Sequence, residues 1–148
     1  MDKHTYVIGD IHGEAEQLKM LLQKMDLKAE DEMYVLGDVV DRGKYPMEAL
    51  QILMSLPNCT CLAGNHEVMA LSSLKLMLNE ITEYFLNRLS AEQLENLEDW
   101  MRLNGGGTTA LEFTFLSQEK RKEVLEFMEN GSQESDVLCI LIFPDKKD

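Results

Sequence analysis

The chain has 148 residues, 45% of them hydrophobic and 28% charged, which suits one soluble domain with a core of its own. Its 14 Lys and Arg are scattered among 27 Asp and Glu, and the formal net charge of -13 describes a surface that repels nucleic-acid phosphates. No apolar run approaches the ~20 residues of a membrane span, and MDKHTY lacks the basic-then-apolar layout of a signal peptide, so the expected location is the cytoplasm.

In chain order, HTYVIG (residues 4 to 9) is a β-branched and aromatic run ending in glycine, a predicted first strand. Leu18, Leu21, Leu22 and Met25 then recur at helical spacing and predict one apolar helix face. MYVLG (residues 33 to 37) is the second strand. Pro46 suits the first turn of a second helix, with Met47, Leu50, Leu53 and Met54 turned inward. CTCLAG (residues 59 to 64) is the third strand, with Cys59 and Cys61 on one face by alternation. Strands separated by helices of this length predict βαβ units and a parallel sheet.

The second half reads as mainly helical, with helices from about Val68 to Leu78 and from about Glu80 to Leu89. Ser90 to Gln93 matches a capping box for a helix through Trp100 to Leu103, which Asn104 and the following three glycines stop. Ser117 is placed to cap a helix over Gln118 to Met128, with Asn130 and Gly131 as its stop. VLCILIF (residues 137 to 143) is a buried-strand candidate. Cys59, Cys61 and Cys139 sit in apolar runs and are expected to be reduced and packed rather than bridged; packing is also the reading of the CTC pair, ahead of a thiolate metal site.

The chemistry lies where the three strands end, at GDIHGE (residues 9 to 14), LGDVVDRG (36 to 43) and LAGNHE (62 to 67). Ligands of parallel sheets bind beyond the carboxyl ends of the strands. Asp10 and His12, two residues apart, project to the same side of an extended segment. Asp38 and Asn65 arrive from the neighbouring strand ends. Carboxylate, imidazole and amide oxygen together suit Mn, Fe or Zn ions, and a shared carboxylate would hold two ions ~3.5–4 Å apart. Arg42 is a planar, permanently charged fork for phosphate oxygens. His66, oriented by Asp41, has the make-up of a general acid. A purely structural reading of Asp10 and Asp38 as helix caps, or of His12 as a surface residue, leaves the joint pattern without a reason. His4, at a strand entrance and outside every motif, is expected to be inert.

GDIHG, GDVVDRG and GNHE resemble the three signature blocks of the calcineurin-like metallophosphoesterases, over residues 5 to about 129. They are most similar to the phosphoprotein phosphatase branch with its bacterial and phage serine/threonine phosphatases, which WMRLNGGGTT (residues 100 to 109) also resembles. Diadenosine tetraphosphatases are close relatives, typically with GNHD where this chain has Glu67. The resemblance implies an α/β fold, a metallophosphoesterase-type β-sandwich flanked by helices, in one partial domain over residues 1 to 148. It further implies two divalent metal ions (Mn, Fe or Zn): Asp10, His12 and Asp38 at the first, Asp38 and Asn65 at the second. Arg42 would bind substrate, and His66 with Asp41 would assist the leaving group. The implied reaction is hydrolysis of a phosphorylated protein or small phosphomonoester by a metal-activated hydroxide, without a phosphoenzyme.

The resemblance also calls for two later histidines on the second metal. This chain has only His4, His12 and His66. The second site is therefore expected to be weak and the second sheet largely missing, as in a family member shortened at its carboxyl end. Pairing with a second copy would cover the sheet face left bare. The competing expectation is a catalytically impaired remnant, or a module that binds a metal or a partner without turnover.

Overall fold

In a computed structural model, residues 3–79 and 82–142 are described, the last ten of them as backbone only. The elements run β1 (Thr5–Ile8), α1 (Ala15–Met25), β2 (Glu32–Val35), α2 (Pro46–Met54), β3 (Cys59–Cys61), α3 (Asn65–Leu76), α4 (Glu83–Leu86), α5 (Ala91–Arg102), α6 (Gly107–Phe115) and α7 (Gln118–Ile142). The strands form a parallel three-stranded sheet in the order β1-β2-β3. This is the α/β arrangement expected from the alternating first half. The strands stand side by side because each crossover helix returns the chain to the same sheet edge.

Register explains which side of the sheet is covered. Ile8 pairs with Val35, and Val35 with Cys61, so these side chains share the inner face; Val35 and Cys61 are buried there with Met33. Val7, Tyr34 and Thr60 form the alternate row, and Val7 is 58% exposed. The core under the inner face takes Leu18 from α1, Met47, Leu50 and Leu53 from α2, Leu74 from α3, Trp100 from α5, Phe113 from α6 and Val124 and Met128 from α7. Leu21, on the predicted apolar face of α1, is 41% exposed at the rim of that stripe. Among the described residues there is no strand besides β1–β3 and no helix long and apolar enough to cross a membrane.

The start signals behave as the residues dictate. Pro46 opens α2, its missing N–H falling where a helix has no partner for one. Ser90 and Gln93 form a reciprocal capping box on α5, with bonds of 3.1 and 2.9 Å. Ser117 Oγ accepts from Lys120 N at 3.2 Å. The predicted helix near Glu80 to Leu89 is present as the short α4, capped by Thr82; Glu80 and Ile81 lie outside the described residues.

The glycines after Asn104 end α5 as expected, and α6 begins immediately at Gly107, a helix that GTTALEFTF does not advertise. Burial of Thr109, Ala110 and Phe113 overrides the weak local propensity. Two expectations are corrected. Residues 137–142 are helical, part of α7, and not a strand; Phe143 lies outside the described residues. A short apolar run does not by itself separate strand from buried helix. Gly131, read as a helix stop, serves instead as a point of close approach. Its carbonyl accepts from Ala63 N at 3.2 Å, and a Cβ there would meet Cys61 O at 2.6 Å.

Candidate active site

The loops after β1 and β2 are latched by their backbones before any side chain acts. His12 N donates to Asp38 O at 2.9 Å and Gly13 N to Val39 O at 2.7 Å. Asp10, His12, Asp38, Asp41 and Arg42 all take positive φ, between 44° and 70°. For residues other than glycine this left-handed conformation is disfavoured, and clusters of it mark functional loops.

The conformation gathers the side chains. Ligand atoms of Asp10, His12 and Asp38 lie within 4.8 Å of one another, a group with the size and donor chemistry for a divalent ion. The Asp10 side chain is 82% exposed, so one side of the group is open to solvent. His12 Nδ1 donates to Val40 O at 3.0 Å, which leaves the lone pair on Nε2, beside Asp10 Oδ1 at 3.9 Å. This is the tautomer a metal ligand needs, fixed by the other ring nitrogen. Asn65 opens α3 on the same edge and is exposed. Asp38 Oδ1 accepts from His66 N at 3.2 Å, so the carboxylate also meets the positive end of α3.

Behind this group sits a buried pair. His66 Nδ1 donates to Asp41 Oδ2 at 2.8 Å, with His66 2% and Asp41 0% exposed. The two histidine rings meet edge to face, centroids 4.7 Å apart. Arg42 spans them: Nη1 donates to His12 Nε2 at 3.4 Å and Nη2 to His66 Nε2 at 3.1 Å. Arginine has no acceptor, so both Nε2 atoms are lone-pair nitrogens in this arrangement. All seven predicted site residues thus stand at one edge of the sheet: six are tied by the contacts above, and Asn65 is placed by position.

The sequence matches the calcineurin-like phosphoesterase family over residues 3–141. The chain belongs to that family. It is 34% identical over 101 residues to a protein of Erwinia tasmaniensis named symmetrical bis(5'-nucleosyl)-tetraphosphatase, the match covering 66% of this chain and 37% of that protein. A protein of the same name from Shewanella loihica is 37% identical over 103 residues, covering 67% of this chain and 37% of the relative. A crystal structure of a metallophosphoesterase from Sphaerobacter thermophilus aligns with a TM-score of 0.40 at 23% identity, over 64% of this chain and 40% of the other. The match thus spans little more than a third of the length of these relatives.

Around this candidate site, three further side chains hold the loops in ways the motifs did not assign. Glu67, 3% exposed, accepts four backbone N–H groups: Asp38 at 2.7 Å and Gly64 at 2.8 Å on Oε2, Val39 at 2.7 Å and Val40 at 3.1 Å on Oε1. One carboxylate thereby satisfies the donors of a loop that has no ladder partner. The other two close on Asp41. Trp100 Nε1 donates to Oδ2 at 2.9 Å, and Thr109 Oγ1 donates to Oδ1 at 2.7 Å while accepting from Asp41 N at 2.9 Å.

Trp100 and Thr109 are the first and last of the residues 100 to 109 singled out as a family-like segment, which was the available signal. The turn between them is built for the site as well. Gly105, at φ +79°, accepts from Arg42 N at 2.9 Å through its carbonyl, and a Cβ on it would meet Arg42 Cγ at 2.8 Å.

Proposed function

We propose that this edge hydrolyses phosphoesters with the help of divalent cations held by Asp10, His12 and Asp38, and more weakly by Asp38 with Asn65. The observation that carries the reading is the adjacency of a three-ligand group, closed to within 4.8 Å, to Arg42 and to the buried Asp41–His66 pair. Bound cations of the Mn, Fe or Zn kind would supply Lewis-acid polarisation of the phosphoryl oxygens and neutralise their charge.

The protein groups do the rest. Arg42, already facing both histidines, would turn its fork onto the phosphoryl oxygens, a bidentate match that lysine does not offer. His66 would carry a proton on Nε2 and pass it to the departing oxygen, returning to the neutral form with hydrogen on Nδ1. Asp41 favours both states by holding that Nδ1–H, as the carboxylate of a catalytic triad does for its imidazole. Trp100 and Thr109 hold Asp41 in turn.

The substrate reading begins with a phosphomonoester, on a small molecule or a phosphorylated protein, in line with the similarity of the three motifs to phosphoprotein phosphatases. The names of the Erwinia and Shewanella relatives favour a second reading, a bis(5'-nucleosyl)-tetraphosphate. The deciding experiment is Mn²⁺-dependent hydrolysis of p-nitrophenyl phosphate, a phosphoserine peptide and a bis(5'-nucleosyl)-tetraphosphate, each beside Asp38→Asn. Turnover that needs Mn²⁺ and vanishes in the variant supports the reading, and the fastest substrate selects between its two forms. A folded chain that binds Mn²⁺ but turns over nothing would make the site a metal-binding remnant.

A further inference from the structure

β1 is an edge strand: it pairs with β2 on one side, and among the described residues no strand pairs with its other side. His4 O and Ile8 O accept from Glu32 N and Leu36 N at 3.0 and 2.8 Å, so the even-numbered residues bond to β2. Thr5 and Val7 therefore turn their backbone N–H and C=O outward, and both residues are exposed. Bare edges are commonly guarded by lysine or proline. TYVI has neither.

Beside this edge lies a cleft of about 180 Å³ between the β1 loop and α1. Ile8, Ile11, Leu18 and Leu21 make its walls largely apolar, and Asp10 and Glu14 also line it. Asp10 belongs to the candidate metal group, so the cleft is continuous with the active-site edge. Lys19 of α1 is engaged by Glu16 and Glu48, which leaves the exposed Glu14 without an ion-pair partner among the described residues.

Building on the phosphoester reading above, we propose that β1 accepts an extended phosphopeptide as an added strand. Its phosphoserine reaches the Asp10 end of the edge, and a flanking lysine or arginine lies in the cleft. The substrate class is thus a phosphorylated protein segment. Outward N–H and C=O groups bind any peptide backbone, and alternate side chains supply the choice among sequences. A lysine or arginine stem lies along apolar walls while its cation meets a carboxylate, here that of Glu14.

Two features favour a peptide over other occupants. A net charge of -13 attracts basic segments and repels a second copy of the chain. The four-residue edge is also only ~13 Å long. That suits a short peptide and falls well below the ~800 Å² per partner of a standard protein interface. A nucleoside has no row of amides to offer and would leave the edge unpaired.

The test is fluorescence anisotropy of a labelled alanine-based peptide on the folded full-length chain with Mn²⁺. Its central residue is a phosphonate isostere of phosphoserine, which resists hydrolysis, with a lysine two residues to either side. Two further peptides carry N-methyl groups on alternate amides, one on the even set and one on the odd. One of the two should lose affinity at least about tenfold and the other keep it, because only one set faces β1. Glu14→Gln should weaken the lysine peptide by about fivefold, the upper range for an exposed ion pair, and leave an all-alanine flank unaffected. Absence of binding, or equal tolerance of both N-methylated peptides, overturns the proposal. So does binding of a bis(5'-nucleosyl)-tetraphosphate in place of the peptide, or a dimer by light scattering that excludes it. Mn²⁺-dependent hydrolysis of p-nitrophenyl phosphate, measured in parallel, reports on the phosphoester reading separately. Turnover without peptide binding removes only the edge proposal, and patterned peptide binding without turnover removes only the catalytic reading.

Discussion

Trp100 donates its indole N–H to Asp41 Oδ2, the same oxygen that receives the His66 imidazole. A residue 59 positions further along the chain thus fixes the carboxylate that orients the histidine. With Thr109 on the other oxygen, Asp41 has three side-chain donors and is fully enclosed. A buried carboxylate persists only where its lone pairs are satisfied in this way.

Removing the indole donor while keeping an aromatic ring should therefore separate function from fold. Trp100→Phe is expected to lower stability by about 1.5–3 kcal/mol, the range for a hydrogen bond to a charged group. In the proposed reaction Asp41 acts through His66 and not on the substrate, so the variant should also reduce kcat for p-nitrophenyl phosphate about tenfold, with KM little changed. Thermal unfolding together with steady-state kinetics checks both. A drop in stability alone would leave Trp100 a packing residue.

Metal binding should be visible without turnover. Mn²⁺ at one hundred times its dissociation constant stabilises a folded protein by about 2.7 kcal/mol if it ignores the unfolded chain. The melting temperature of the wild-type chain should rise with Mn²⁺ and fall back on chelation. Asp10→Asn and Asp38→Asn should abolish most of the shift. A shift that survives in both variants would place the ion elsewhere.

Glu67 is predicted to be the most sensitive site residue for stability. Its carboxylate serves four backbone donors, and Glu67→Ala would leave several of them buried without partners. The expected loss is about 3 kcal/mol or more. Glu67→Gln, which keeps one oxygen acceptor, should cost roughly half of that by the same reasoning. Chemical denaturation of the two variants tests the order.

Asp31 should set part of the acid limb. Its carboxylate accepts from Lys28 N and His4 N, both at 2.9 Å, and these bonds hold its pKa below the ordinary carboxylate value of 3.8. A group lowered in the folded state stabilises above its unfolded pKa and loses that contribution as pH falls through the folded one. Asp31→Asn should thus be less stable than wild type at pH 7, with the gap narrowing below about pH 4. Urea unfolding across pH 3 to 7 would show it. His4, read from the sequence as inert, has its structural part here, lending Asp31 its backbone N–H and a ring nitrogen at 3.4 Å.

The first half of the fold was legible because its signals are local. Alternation in TYVI, Pro46 at a helix start and the Ser90–Gln93 box each specify their own element. The site was legible for a related reason: in a parallel sheet, residues just past the strand ends converge whatever the loops contain. What escaped was non-local. Trp100 and Thr109 meet Asp41 only through packing of α5 and α6, and no spacing rule links positions 59 and 68 residues apart. Gly131 escaped for the same reason. A glycine in a helical pattern reads as a stop until the strand end that needs its missing side chain is known.

Asp10 combines two features that together have a consequence for engineering. It adopts a left-handed backbone at φ 51°, and its side chain is 82% exposed, making little use of the interior. Glycine there would relax strain of the order of 1 kcal/mol and surrender almost no packing. Asp10→Gly is therefore the substitution at which durability and the candidate metal group pull in opposite directions: the hardier loop would be the one that has lost one of its three clustered ligand atoms.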